Sequence, residues 1–156
     1  MRDLVVDTNI FMHADNEQEI RRAQSRDMLS KMRAGRTVLC VDENYDFDEA
    51  KNKSYIVHEY LKWAIHGTFT YSILIEMIKQ SRIKVVSRKV SRKIQKAIQQ
   101  DVYDKTDRVF VQVAANTDEK VLATHDVTNF PKARRKSLLK SASVSVLLAQ
   151  EVAGRL

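Results

Sequence analysis

The chain has 156 residues, 44% of them hydrophobic and 30% charged, which suits one globular domain with a real core and carries no signature of disorder. No apolar run approaches a membrane span and no signal-peptide pattern opens the chain, so a single cytoplasmic domain over 1–156 is expected, without an anchor. The lone Cys40 rules out an intramolecular disulfide, and a net charge of +7 points to an anionic partner, most often nucleic acid.

Leu4-Val5-Val6 reads as a short buried parallel strand that delivers Asp7 to its C-terminal end. That edge of an open α/β sheet is where ligands and chemistry sit, although an Asp there also serves as a helix cap. Residues 17–34 carry Ile20, Ala23, Met28, Leu29 and Met32 at helical spacings, and Gly35 is placed to end that helix. Thr37 to Val41 reads as a second strand, with Cys40 as a small buried hydrophobe, followed by Asp42-Glu43 and an aperiodic loop over 43–53. Ser54 caps a predicted helix running to about His66, with Ile56, Val57, Tyr60, Leu61, Ala64 and Ile65 on its apolar face and Gly67 ending it. A helix over 70–80 follows, bearing Ile73, Leu74, Met77 and Ile78. Ile83 to Val86 is a short strand or an extended connector.

Further helices are predicted over 90–100, with Val90, Ile94, Ala97 and Ile98 inward, and over 105–116, with Val109, Phe110, Val113 and Ala114 inward. Lys120 to Thr124 is a strand leading to Asp126, Pro131 starts a short basic helix, and Val144 to Leu148 is the last strand. Strands alternating with helices argue a three-layer α/β/α sandwich around a mostly parallel sheet. Trp63, Tyr71 and the methionines are expected in the core or in a subunit contact.

Positive charge gathers in two places: Arg82, Lys84, Arg88, Lys89, Arg92, Lys93 and Lys96, and then Lys132, Arg134, Arg135, Lys136 and Lys140. Each cluster is either a phosphate-binding surface or a solvated helix face. Among them Arg88, Lys89, Arg92 and Lys93 are the expected grip on a phosphate backbone. Four acids stand out by position: Asp7 and Asp126 after strands, Glu59 and Asp107 beside apolar helix faces. Carboxylates that converge repel one another unless a cation compensates, and oxygen-only donors favour Mg²⁺ or Mn²⁺. The four histidines and single cysteine show no zinc spacing, and there is neither a GxxxxGK[ST] phosphate loop nor a Ser/His/Asp constellation. Periodicity alone does not establish that the acids meet.

Four segments resemble the motifs of PIN-domain nucleases, which include stand-alone prokaryotic toxins of the VapC type. Leu4-Val5-Val6-Asp7-Thr8-Asn9-Ile10 is similar to the family's opening strand, and Ile56-Val57-His58-Glu59-Tyr60 to its I-x-x-E-Y helix. Asp104-Lys105-Thr106-Asp107 with Phe110-Val111-Gln112-Val113-Ala114 resembles the third motif. Val121 to Asp126 with Asn129-Phe130 resembles the fourth. The resemblance spans about residues 4 to 150. It implies a divalent-metal-dependent endoribonuclease in which Asp7, Glu59, Asp107 and Asp126 bind the metal, with RNA favoured over DNA as partner, and a toxin role or one in RNA processing or defence. It also implies an antitoxin or other protein regulator, and a homodimer.

The chain departs from the pattern in places. The gap before Glu59 is long, so Asp42, Glu43 and Glu49 compete for the second acid position. Where many members carry a further acid after the fourth-motif Asp, this chain has Asn129. Asp104 is either an auxiliary ligand or a helix N-cap. Thr8, Asn9 and Thr124 either orient the metal-bound carboxylates or cap strand ends. His125 is expected to be exposed. A DNA nuclease and a non-cutting nucleic-acid- or protein-binding module are the alternative functions.

Overall fold

The computed structural model describes residues 1–46 and 48–156. Five strands, β1 (Asp3–Val6), β2 (Val38–Val41), β3 (Ile83–Val85), β4 (Val121–Thr124) and β5 (Ser145–Leu148), form one sheet in the order β3-β2-β1-β4-β5. Every pairing is parallel. The helices are α1 (Thr8–Asp15), α2 (Arg22–Ala34), α3 (Tyr55–Trp63), α4 (Phe69–Lys79), α5 (Arg92–Asp101), α6 (Lys105–Ala115), α7 (Lys132–Ala142) and α8 (Ala149–Ala153). α1, α2, α4 and α8 pack among themselves on one side, while α6 packs on β1, β2 and β4 and holds α5, which meets α7. The result is the expected three-layer α/β/α sandwich.

A parallel sheet covered on both faces must be apolar along whole strands. Accordingly Leu4, Val5, Val6, Leu39, Cys40, Val41, Leu122 and Ala123 are fully buried, each contributing on the order of 1–3 kcal/mol by leaving water. Burial, with Asp3 adding its charge, pushes the Cys40 thiol up to about 12, which leaves it an inert hydrophobe. Asp3 is buried at the start of β1, where its carboxylate accepts from the Asp118 and Glu119 amides at 3.1 and 3.0 Å and from Lys84 Nζ at 3.1 Å. That fastens β1 to β3 and to the turn that precedes β4.

Strand numbering climbs away from β1 in both directions, so the β1/β4 boundary is the topological switch point of the sheet, where such folds open a crevice.

The strand and helix order follows expectation, with corrections at specific places. The predicted helix over 17–34 begins only at Arg22, because Asn16 makes a turn in which its side chain and carbonyl accept the Gln18 and Glu19 amides at 3.1 and 3.2 Å. Ile20 is therefore 88% exposed, and Ala23 is exposed too. α3 stops at Trp63, three residues early, and Ile65 stands in solvent while Gly67 turns the chain at φ 89°. Trp63 is half exposed; Met28, Met32 and Met77 are core residues as expected. Helices α1 and α8 were not legible in the periodicity. The expected loop over 43–53 holds neither helix nor strand among its described residues, with Phe47 lying outside them.

Candidate functional site

Asp7 follows β1 directly, and its amide donates to Ala123 O at 2.8 Å, so the carboxylate emerges beside Thr124 on the neighbouring strand. It also serves as the N-cap of α1, Oδ1 accepting the Asn9 amide at 3.3 Å. Oδ2 accepts from Asn9 Nδ2 at 2.8 Å and from Thr124 Oγ1 at 2.7 Å. Tyr60 braces this corner from α3: its ring stacks on Phe11 at 4.4 Å and its hydroxyl donates to Val6 O at 2.5 Å. One oxygen of Asp7 thus caps α1 while the other is held by the side chains of Asn9 and Thr124.

Asp126 is reached through the same threonine, since its amide donates to Thr124 Oγ1 at 2.9 Å. Its Oδ1 accepts the amides of Thr128 and Asn129 at 2.9 and 2.7 Å. Asn129 Nδ2 then donates to Asp126 Oδ2 at 2.8 Å and to Asp107 Oδ2 at 3.0 Å. A neutral amide therefore holds two carboxylates from β4 and α6 side by side.

The electrostatics bind the three acids into one unit. Burial pushes the Asp7 carboxyl up to about 6, with the Asp126 charge adding, against the donors of Thr124 and Asn9. Burial again comes first for Asp107, followed by repulsion from Asp7, Asp104 and Asp126, and together they raise it to about 7. Position in the first turn of α6, where a helix favours negative charge, does not offset this. Asp104 proves to be the N-cap of α6, with Oδ1 accepting Thr106 N at 2.7 Å and Thr106 Oγ1 at 2.6 Å.

Glu59 is held in an ion pair with Lys62 one turn along α3. It lies one turn from Tyr55, which packs edge-on against Phe110 of α6 at 6.4 Å and feels the charges of both Glu59 and Asp104. Its competitors have other work. Asp42 is buried and fastens the start of α3, Oδ1 accepting Ser54 Oγ at 2.6 Å and Ile56 N at 2.8 Å, Oδ2 accepting Tyr55 N at 3.0 Å. Glu43 accepts from Ser87 Oγ and the Arg88 amide at 2.6 and 2.9 Å, and Glu49 is exposed. Among the described residues no three His, Cys, Asp or Glu side chains are arranged to hold a metal ion as they stand.

His125 is a correction: it is 2% exposed rather than on the surface. Its Nε2 lies 2.9 Å from Ser25 Oγ and its ring stacks on His13 at 5.3 Å. Burial first, then the positive neighbours His13 and Arg21, lower its pKa to about 4. His125, His13 and Arg21, the last donating to the His125 carbonyl, line an open cleft of about 240 Å³ shared with Asn9, Asp126 and Thr128. Nothing in the spacing of His13 and Arg21 pointed there. Thr8, expected beside the acids, has a buried Oγ1 without a hydrogen-bond partner among the described residues.

All four residues of the expected phosphate grip are exposed, but Arg88 is also held by Asp42 at 3.7 Å and Glu43 at 3.5 Å.

Fold and site together define a parallel α/β domain with three electrostatically linked carboxylates at its switch point. No model of a known protein family matches the sequence, and no curated protein matches it. Among solved structures, the chain is similar to one in the crystal structure of VapBC2 from Rickettsia felis bound to a DNA fragment from their promoter. The TM-score is 0.47 and the identity 10%, over 94% of this chain and 98% of that one.

Proposed function

We propose that the protein is a divalent-metal-dependent phosphodiesterase, and specifically an endoribonuclease. The observation that carries this reading is the coupled trio Asp7, Asp107 and Asp126 at the switch point. Burial and mutual repulsion raise Asp7 and Asp107 to about 6 and about 7, a cost that a bound cation would remove. The donor set is all oxygen, which suits Mg²⁺ or Mn²⁺, and the orphan Thr8 hydroxyl beside it is a further oxygen donor. Asp7, Asp107 and Asp126 would hold the ion, with Glu59 joining on leaving Lys62. Bound there, the ion supplies charge neutralisation at a phosphoryl oxygen and a water of lowered pKa.

The chain's own residues do the positioning. Asn9 and Thr124 fix the rotamer of Asp7, and Asn129 keeps Asp107 and Asp126 together as their charges repel. Lys89, Arg92 and Lys93 hold the phosphate backbone without reading its sequence. The preference for RNA and a silencing protein regulator rest on the motif resemblance.

One observation favours a second reading. Glu59 is committed to Lys62, and among the described residues no three acids are closed on one point, as expected of a PIN-like module that binds nucleic acid without cutting it.

Cleavage of end-labelled single-stranded RNA and matched DNA, with Mg²⁺, Mn²⁺ or EDTA, separates these readings. The expected result is metal-dependent RNA cutting by the wild type that Asp7→Asn abolishes. Asn is as good an N-cap as Asp, so the variant keeps α1 and its fold. Salt-dependent binding with no cutting under any metal supports the second reading, and preferential cutting of the DNA strand identifies a DNA nuclease.

A further inference from the structure

We infer that Tyr103 and Arg134 form a stacking platform for an unpaired nucleobase, linked through Asn129 to the Asp107–Asp126 pair, so that the substrate is taken as a single strand. The inference rests on the nuclease reading for its location and adds to it the form of the nucleic acid.

Tyr103 occupies the tight connection between α5 and α6, flanked by Val102, the C-cap of one helix, and Asp104, the N-cap of the other. Arg108 pins that connection, its Nε donating to Val102 O at 2.7 Å and its Nη2 to Tyr103 O at 3.3 Å. The backbone is fixed, yet the residue is 67% exposed. An exposed aromatic by itself means little; what it is attached to decides the matter. The Arg134 guanidinium carbon lies 4.0 Å from the ring centroid, covering one face. The same guanidinium donates through Nη1 to Asn129 O at 3.3 Å, and Asn129 is the amide that joins Asp107 to Asp126. Platform and acids are therefore one residue apart.

An aromatic ring backed by a cation and open on its other side accepts the π-face of any base, which makes recognition tolerant of sequence. In a duplex both faces of a base are already stacked on neighbours, so only an unpaired base can be received. A base placed on Tyr103 leaves its sugar-phosphate beside Asn129 and the carboxylates.

The test is fluorescence anisotropy with a fluorescein-labelled single-stranded RNA and its duplex, in EDTA, using the full chain. EDTA separates this question from catalysis: failure of cleavage with metal overturns the nuclease and leaves the binding result readable. Tyr103→Ala is expected to weaken single-strand binding by about 5- to 150-fold, Tyr103→Phe to retain it, and neither to change duplex binding. Equal single-strand binding by Tyr103→Ala and wild type overturns the platform, as does an equal loss for the duplex. A wild type that binds neither form in EDTA overturns the platform, and the nuclease reading is then decided by cleavage with metal alone.

Discussion

Asp107 is a residue whose charge costs the metal-free fold stability. A carboxyl whose folded pKa lies above its unfolded value binds its proton more tightly when folded, so the folded state loses stability as pH rises through that window. For Asp107 the window runs from 3.8 to about 7. Asp107→Asn should therefore stabilise the metal-free protein at pH 8 by about 2 kcal/mol, allowing for solvent screening of a half-buried group. The gain should shrink as pH falls and vanish below about pH 4, where the wild-type carboxyl is neutral in both states. Urea denaturation of both proteins across that range checks this, since His125, which titrates in the opposite sense, is common to both and cancels. A gain independent of pH would mean that neither burial nor repulsion raises the Asp107 carboxyl. Asp7, Asp107 and Asp126 were legible because each ends a strand or opens a helix within a distinctive run. The partners of Glu59 were not, because an i to i+3 pair with Lys62 competes with convergence and the sequence does not decide between them.

At the scale of elements, caps decided what periodicity left open. α1 has only eight residues, with Ile10, Phe11 and Ala14 buried, too few turns to assert a period, yet Asp7 marks its start chemically. α8 is shorter still and is held by Glu151 accepting the Leu148 amide at 2.7 Å. The most consequential cap is Asp42, which looked like a candidate ligand and instead satisfies three donors at the start of α3, the helix that carries Tyr60 and Glu59. Asp42→Ala would leave Ser54 Oγ and the Tyr55 and Ile56 amides without their acceptor, two of these groups being in buried residues. The expected loss is about 2–4 kcal/mol, read as a lower denaturation midpoint with the fold retained. An unchanged midpoint would return Asp42 to the list of possible metal ligands.

Across the whole molecule, the net charge of +7 is less uniform than its two sequence clusters suggest. Arg82 is spent inside the fold, bridging Met32 O, Arg33 O and Thr37 O, and Lys84 holds Asp3 and Asp118. Arg88 is paired with Asp42 and Glu43, and Arg135 with Glu151. Besides Arg88, the clusters present to solvent Lys89, Arg92, Lys93 and Lys96 on and before α5, and Lys132, Lys136 and Lys140 on α7. Because α5 and α7 pack together, two clusters far apart in sequence lie on adjacent helices, which no reading along the chain reveals. Each phosphate contact on a single strand contributes about 0.7 to the slope of log affinity against log salt. Replacing Arg92 and Lys93 together by alanine should therefore flatten that slope by about 1.4, two contacts at about 0.7 each, for any sequence offered. Arg88→Ala should leave the slope nearly unchanged and lower thermal stability instead, since its charge already serves Asp42. If Arg88→Ala flattened the slope while the double variant did not, the phosphate path would run over the β3–α5 connection rather than along α5.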